Sequence, residues 1–248
     1  MRIIVNGANG AMGKYVLEAV QSGRFDTEAA AVISRSFETD ASACRFSSPA
    51  ECTVQADCVI DFSNHEGTAE LTQYCVRTGT PVIIATTGHS EEELKLIREA
   101  SSKIPVFLAS NTSIGVAVVC ELVKKAAAAF PDADIEIIER HHNRKADAPS
   151  GTALTIAENI REVRKNAEFV YGRSGHAKRQ PNEIGIHAVR YGNEVGTHEI
   201  IISTGMETVT VKHESETRAL FADGAIKAAF FLCGKPAGLY SMPDMMNE

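Results

Sequence analysis

Several things are scarce in this chain, and each scarcity excludes a class of protein. Its six cysteines (Cys44, Cys52, Cys58, Cys75, Cys120 and Cys233) form no CxxC pair and no zinc-type spacing. They read as scattered reduced thiols of a reducing compartment. Long apolar runs are missing too. The most apolar helical stretch, Ile114 to Phe130, is interrupted by Glu121, Lys124 and Lys125 and does not span a bilayer. The opening MRIIVNGANG reaches glycine too soon for the apolar region of a signal peptide. Positive charge is in deficit, with 25 Lys and Arg against 32 Asp and Glu and a formal net charge of −7. No general affinity for nucleic acid or anionic membrane is therefore expected, although a local basic cluster can still serve an anionic small molecule. A cytoplasmic protein is predicted.

What is present is an ordinary globular balance, 44% hydrophobic and 23% charged over 248 residues, enough for one large or two modest domains. The first half alternates β-type runs with helical patterns. Strands are expected at Arg2–Asn6, Ala29–Ile33, Asp57–Asp61, Pro81–Ala85 and Ile104–Leu108. Helices are expected from the glycine turn to Val20, over Gly67–Thr78 and over Ser90–Ser102, with Ser90 and Glu93 as a capping box. This alternation predicts a parallel, doubly wound Rossmann-type sheet.

After residue 112 the pattern changes. A helix at Ile114–Ala129 leads to a strand at Asp134–Arg140, then a helix at Ser150–Arg164. Glu168–Pro181 is glycine-rich and basic and reads as a loop, its stretch Tyr171–Gln180 either a lid over an anion or plain surface. Ile184–Arg190, Thr197–Ser203 and Thr208–His213 come next in close succession, as in hairpins of an antiparallel or mixed sheet. Arg218–Cys233 is a last helix. The expected organisation is a dinucleotide-binding domain (1–112 and 218–248) and an α+β substrate-binding and oligomerisation domain (113–217) inserted after its fifth strand.

Gly7, Gly10 and Gly13 form GxxGxxG between a strand and a helix. Helix N-terminal amides there point at an anion, and absent side chains let a pyrophosphate approach; a tight turn without ligand has the same letters. The second strand runs into Ser34, Arg35 and Ser36 with no acid before Glu38. A hydroxyl beside a guanidinium suits a 2′-phosphate, so NADPH is expected to be accepted, alongside NADH; a solvated strand-end charge is the plainer alternative. Ala85–Gly88 and Ala109–Thr112 stand at strand ends, where ligands of open α/β sheets bind.

The segment Glu139–Thr152, ERHHNRKADAPSGT, packs two imidazoles, three cations and a helix start into one stretch. Ser150, Gly151 and Thr152 open the helix, whose amides and dipole favour a carboxylate. Lys145 and the imidazoles add positive potential and a proton donor close by. Such a site suits a small dianion, and a solvated strand-to-helix loop has the same composition. The adjacent histidines point to opposite faces of an extended strand, and no Cys or carboxylate spacing completes a metal shell; no metal is expected.

These residues resemble the signature E-x-H-H-x-x-K-x-D-A-P-S-G-T-A of the 4-hydroxy-tetrahydrodipicolinate (dihydrodipicolinate) reductase family, which Glu139 to Ala153 reproduces. Gly7 to Gly13 resembles its G-x-x-G-x-M-G, Asp61-Phe62-Ser63 its D-F-[ST], and Ala85 to Gly88 its G-T-T-G with alanine in first place. Asn111 to Val116 resembles its N-[FT]-S-[IV]-G-V, and Gly185 to His198 its late strands. The resemblance implies reduction of 4-hydroxy-tetrahydrodipicolinate to tetrahydrodipicolinate by NADH or NADPH, with loss of water, on the route to diaminopimelate and lysine. It implies His141 as proton donor or acceptor, Lys145 as proton donor, and His142, Gly151 and Thr152 as substrate-binding. Gly7, Ala8, Asn9, Gly10, Ala11, Met12, Arg35, Ala85, Thr86, Thr87, Ala109, Ser110, Asn111 and Thr112 are implied to bind cofactor. The family is usually a homotetramer joined through the second domain's sheet. The competing readings are another two-domain dehydrogenase of an aspartate-derived substrate, a non-catalytic NAD(P)-binding sensor, and a metal-dependent hydrolase.

Overall fold

The structure, a computed structural model, describes residues 1–35 and 44–247; Ser36 and Glu38, part of the cofactor-preference reading, lie outside them. The chain forms two compact units, Met1–Ser113 with Arg218–Glu248, and Ile114–Thr217.

The first unit is a seven-stranded sheet whose strands all run parallel. In chain order they are β1 (Arg2–Asn6), β2 (Glu28–Ile33), β3 (Cys44–Phe46), β4 (Cys58–Asp61), β5 (Val82–Ile84), β6 (Pro105–Leu108) and β12 (Gly238–Tyr240). Their spatial order is β12-β6-β5-β4-β1-β2-β3. Chain order reverses beside β1, so the switch point of this doubly wound fold lies between β1 and β4. Ile3, Ile4 and Val5 of β1 are all fully buried, as expected of a central strand covered on both faces. Helices α1 (Ala11–Gln21), α2 (Thr68–Thr78), α3 (Glu91–Ser101) and α6 (Ala219–Leu232) accompany the sheet. The Ser90–Glu93 capping box is present at α3, and α7 (Met242–Met246) closes the chain.

The second unit is a five-stranded mixed sheet, in spatial order β11-β10-β7-β9-β8. Its strands are β7 (Asp134–His141), β8 (Glu168–Tyr171), β9 (Glu183–Arg190), β10 (Gly196–Ser203) and β11 (Thr208–Ser215), with helices α4 (Ile114–Ala129) and α5 (Gly151–Val163). Ile135, Ile137, Ile184, Ile186, Ile200 and Ile202 share a core with Val123 of α4 and Ile156 and Ile160 of α5. Alternate residues of β7, β9 and β10 supply that face.

Four local expectations are corrected. Glu168–Tyr171 is an edge strand parallel to β9, not loop; EFVY has the β-type residues, but four of them beside glycines and arginines carry no periodicity. Cys44–Phe46 and Gly238–Tyr240 are strands of three residues, too short for a pattern. With β3 counted, six strands precede the second unit instead of five. Finally, β9 and β10 are not a hairpin: both flank β7, parallel and antiparallel respectively, and β10–β11 alone is the expected antiparallel neighbour pair.

Candidate active site

Along β7 the buried positions are Ile135, Ile137, Glu139 and His141, so the two-residue period that fills the core ends in a carboxylate and an imidazole. Glu139 is fully buried, and donors surround it. Arg190, beside His141 in the register of β9, donates to both its oxygens at 2.7 Å. His141 Nδ1 lies 2.6 Å from Oε2, and the Ser150 amide donates to Oε1 at 2.9 Å. Burial alone raises this carboxyl's pKa. The hydrogen bonds from His141, Arg190 and Ser150 outweigh it and hold the pKa down to about 2. An ionised carboxylate only accepts, so His141 carries its proton on Nδ1 and turns Nε2 to its surroundings. A Cβ at Gly196 would stand 2.9 Å from that Nε2; the glycine keeps this side of the ring open.

The same carboxylate sets the start of α5. Ser150 caps the helix, accepting from the Ala153 amide at 3.2 Å, and no acid occupies the first turn. Its hydroxyl is 2.9 Å from His198 Nε2, and His198 packs edge-on against His141 with centroids 5.3 Å apart. Burial, then the neighbouring His141, lowers the His198 pKa to about 3, so that ring is neutral at pH 7. Lys145 reaches Asp147 at 2.8 Å. The loop is wired to β9 and to the turn between β9 and β10 by hydrogen bonds that include His142 N to Glu194 O, Asn143 N to Gly192 O, Tyr191 N to His141 O, Arg144 to Asn193 Oδ1 and Arg190 to Asp147 O.

In the first unit the glycine turn is sterically compulsory. Gly7 has φ +81° and a Cβ there would meet Phe62 O at 2.5 Å; one at Gly13 would lie 2.1 Å from Gly7 O. Gly10 caps α1, whose first turn has no acidic residue. A cavity of about 640 Å³ opens over this turn, lined by Gly7, Asn9, Gly10, Ser34 and Arg35 together with Ser47, Ser48, Phe62 and Asn64. Glycine backbone, a helix N-terminus and an exposed arginine are the donor set a dinucleotide phosphate needs, so these residues fit such a cofactor.

The predicted residues thus fall in three groups. Gly7, Asn9, Gly10 and Arg35 share the cavity, while Ala8 is buried beneath the turn and Ala11 and Met12 begin α1. At the ends of β5 and β6, Thr87 and Ser110 are exposed, whereas Ala85, Thr86 and Ala109 are nearly buried. Thr112 is 1% exposed and its hydroxyl donates to Phe221 O at 2.7 Å, so its side chain ties α6 to the sheet. In the second unit His141, His142, Lys145, Gly151 and Thr152 gather at one end of the sheet; Gly151 is exposed and Thr152 half-buried. Sequence reasoning assigned no role to Glu139, Arg190 or His198. The signal existed: two-residue alternation places Glu139 on the face of Ile135 and Ile137, and a charged residue there demands partners. Arg173 and Arg179, candidates for a lid, instead pair with Glu183, Glu136 and Asp134 at the opposite end of β7. Among the described residues no group of three or more His, Cys, Asp or Glu is arranged to hold a metal, and no helix is long and apolar enough to cross a membrane.

A crevice of this kind on a doubly wound sheet defines a nucleotide-binding protein of the Rossmann type. The fold is shared by an amine dehydrogenase from Mycobacterium smegmatis, at TM-score 0.64 and 11% identity over 98% of this chain and 95% of that one. The match then narrows. The N-terminal region of dihydrodipicolinate reductase matches residues 1–112 and its C-terminal region residues 115–246, and the chain belongs to that family. A 4-hydroxy-tetrahydrodipicolinate reductase from Caldanaerobacter subterraneus subsp. tengcongensis is 45% identical over 100% of this chain and 99% of its own. A dipicolinate-bound dihydrodipicolinate reductase from Paenisporosarcina sp. TG-14 has TM-score 0.82 at 26% identity, covering 97% of each chain. The chain is an oxidoreductase using NADH or NADPH to reduce 4-hydroxy-tetrahydrodipicolinate to tetrahydrodipicolinate with loss of water, in diaminopimelate and lysine biosynthesis.

Proposed function

We propose that residues 113–217 hold the substrate, a small dicarboxylate, at the end of β7, and that residues 1–112 with 218–248 hold the dinucleotide. The observation that carries the substrate reading is the Glu139 network, which fixes His141 and the start of α5 with one buried charge. Gly151 and Thr152 with His142 receive a substrate carboxylate at the helix N-terminus, where the dipole favours it. The dipicolinate bound by the Paenisporosarcina reductase supports a small dicarboxylate as the class of ligand. Gly7, Ala8, Asn9, Gly10, Ala11 and Met12 hold the pyrophosphate and Arg35 a 2′-phosphate. Ala85–Thr87 and Ala109–Thr112 line the remainder, Thr112 through its backbone.

When bound, the cofactor supplies hydride. Lys145 supplies the proton that quenches charge on the reduced ring. Its partner Asp147 is 58% exposed, so that ion pair is weak and a substrate carboxylate can replace it. His141 takes or gives a proton at Nε2 while Glu139 stabilises the charged ring. A positioned acid contributes roughly 10²–10⁴-fold. Lys145→Ala should lower kcat by that order with little change in cofactor affinity, measured as NADPH oxidation with freshly generated substrate; near-normal kcat refutes the assignment.

The assembly is a cytoplasmic homotetramer joined through the second unit's sheet. Ile138, Val189 and Ile201, on the face opposite the α4–α5 core, support this, Val189 being 40% exposed. Sedimentation should return four times the chain mass.

A further inference from the structure

At the switch point of the first unit, Asp61 ends β4 opposite Asn6 of β1 and is 2% exposed. Oδ1 accepts from Asn6 Nδ2 at 2.8 Å, Ser63 Oγ at 2.6 Å and the Ser63 amide at 3.2 Å. Oδ2 accepts from Thr86 Oγ1 at 2.7 Å. Burial pushes its pKa up and these hydrogen bonds oppose that. None of the four donors is charged, so this carboxylate is held by polar groups alone, at the place where the glycine turn, the β4 loop and the β5 loop meet.

With Asp61 ionised, it has no proton to give, and both hydroxyls on it are donors. Ser63 Oγ also receives Asn6 Nδ2 at 3.2 Å, and its hydroxyl is engaged on both sides. Thr86 differs. It stands just beyond β5, a residue 7% exposed, and with its proton committed to Asp61 its hydroxyl can only accept from a ligand group that reaches it.

We propose that Asp61 is a positioning residue that makes Thr86 an obligate hydrogen-bond acceptor for a donor group of the dinucleotide. The inference rests on the cofactor reading above. Two groups of the cofactor have the right chemistry, the nicotinamide carboxamide N–H and a ribose hydroxyl. Asp61→Asn preserves the shape and keeps an oxygen toward Asn6 and Ser63. It places an N–H against Thr86, whose own proton then turns outward and repels a donor.

The test is direct binding, without substrate, of NADH and of reduced 3-acetylpyridine adenine dinucleotide, whose acetyl group lacks the carboxamide N–H. Wild type, Asp61→Asn, Thr86→Val and the double variant are compared, with far-UV circular dichroism reporting folding. If the carboxamide is the donor, wild type prefers NADH by about five- to tenfold, and each variant abolishes that preference. If a ribose hydroxyl is the donor, each variant weakens both dinucleotides equally, by a similar factor. In either case the double variant loses no more than a single one. Folded Asp61→Asn that binds both dinucleotides as wild type does overturns the proposal. So does folded Thr86→Val with wild-type binding of both, and this arm stands even if Asp61→Asn fails to fold. Wild type that binds neither dinucleotide would instead sink the cofactor reading.

Discussion

Replacing Glu139 by glutamine removes one charge from the centre of the site while keeping its size, and the structure sets the expected cost. Held near 2 against an ordinary 4.5, the ionised carboxyl contributes about 3 kcal/mol to folding at pH 7, at about 1.4 kcal/mol per pH unit. The folded pKa is depressed, so this contribution is complete well above 4.5 and is lost as pH falls toward 2. It should shrink by more than half near pH 3 by the same relation. Arg190, only 18% exposed in its side chain, is left facing a neutral amide, which adds to the loss at neutral pH. The chain has no tryptophan, so urea unfolding is best followed by far-UV circular dichroism, on both proteins from pH 7 to pH 3. The expected result is a gap of about 3 kcal/mol or more at pH 7 that narrows with acid. A fall in kcat at unchanged NADPH affinity should accompany it, because His141 loses the anionic partner at Nδ1 that stabilises its charged form. A gap below about 1 kcal/mol, or one that does not change with pH, refutes this account of the network.

Arg35→Ala should raise the KM for NADPH about tenfold or more relative to NADH, the loss of a charge-assisted phosphate contact; a kcat/KM ratio for the two cofactors that does not move contradicts the 2′-phosphate role. Gly7→Ala introduces strain at φ +81° and a contact of 2.5 Å with Phe62 O, so thermal stability should fall by more than about 1 kcal/mol and NADH binding by calorimetry should be lost. Arg179→Ala removes pairs to Asp134 and Glu136 and should lower Tm while leaving substrate KM as in wild type. A roughly tenfold rise in that KM, about 1.4 kcal/mol of binding, would restore the lid reading of the basic loop.

The legible parts of this protein are those where local rules and burial agree. Apolar β-type runs such as RIIVN and PVFL are covered on both faces in a parallel sheet, so their pattern survives unchanged in the fold. Gly7 could be read for a related reason, since a turn at positive φ tolerates little else. Strands of three or four residues at sheet edges were not legible, because β3, β8 and β12 exist through pairing with a neighbour rather than through any period of their own. The arginines of the basic loop were equally opaque: composition marks them as cations, and only the register of β7 shows which carboxylates neutralise them.

The segment 139–152 shows the same division. By itself the sequence determined that two imidazoles, a lysine and a helix start lie within reach of one another, because a short chain cannot separate them, and its long signature identified the family. Tertiary structure decided how they are held. Arg190 is 51 residues along the chain from Glu139, and His198 is 48 residues from Ser150. Pairing of β9 and β10 on either side of β7 is what brings both to the segment. A carboxylate buried with its donors is a property of that enclosure. No local pattern can specify it, since the energy that keeps Glu139 ionised comes from groups supplied by two strands and a helix start.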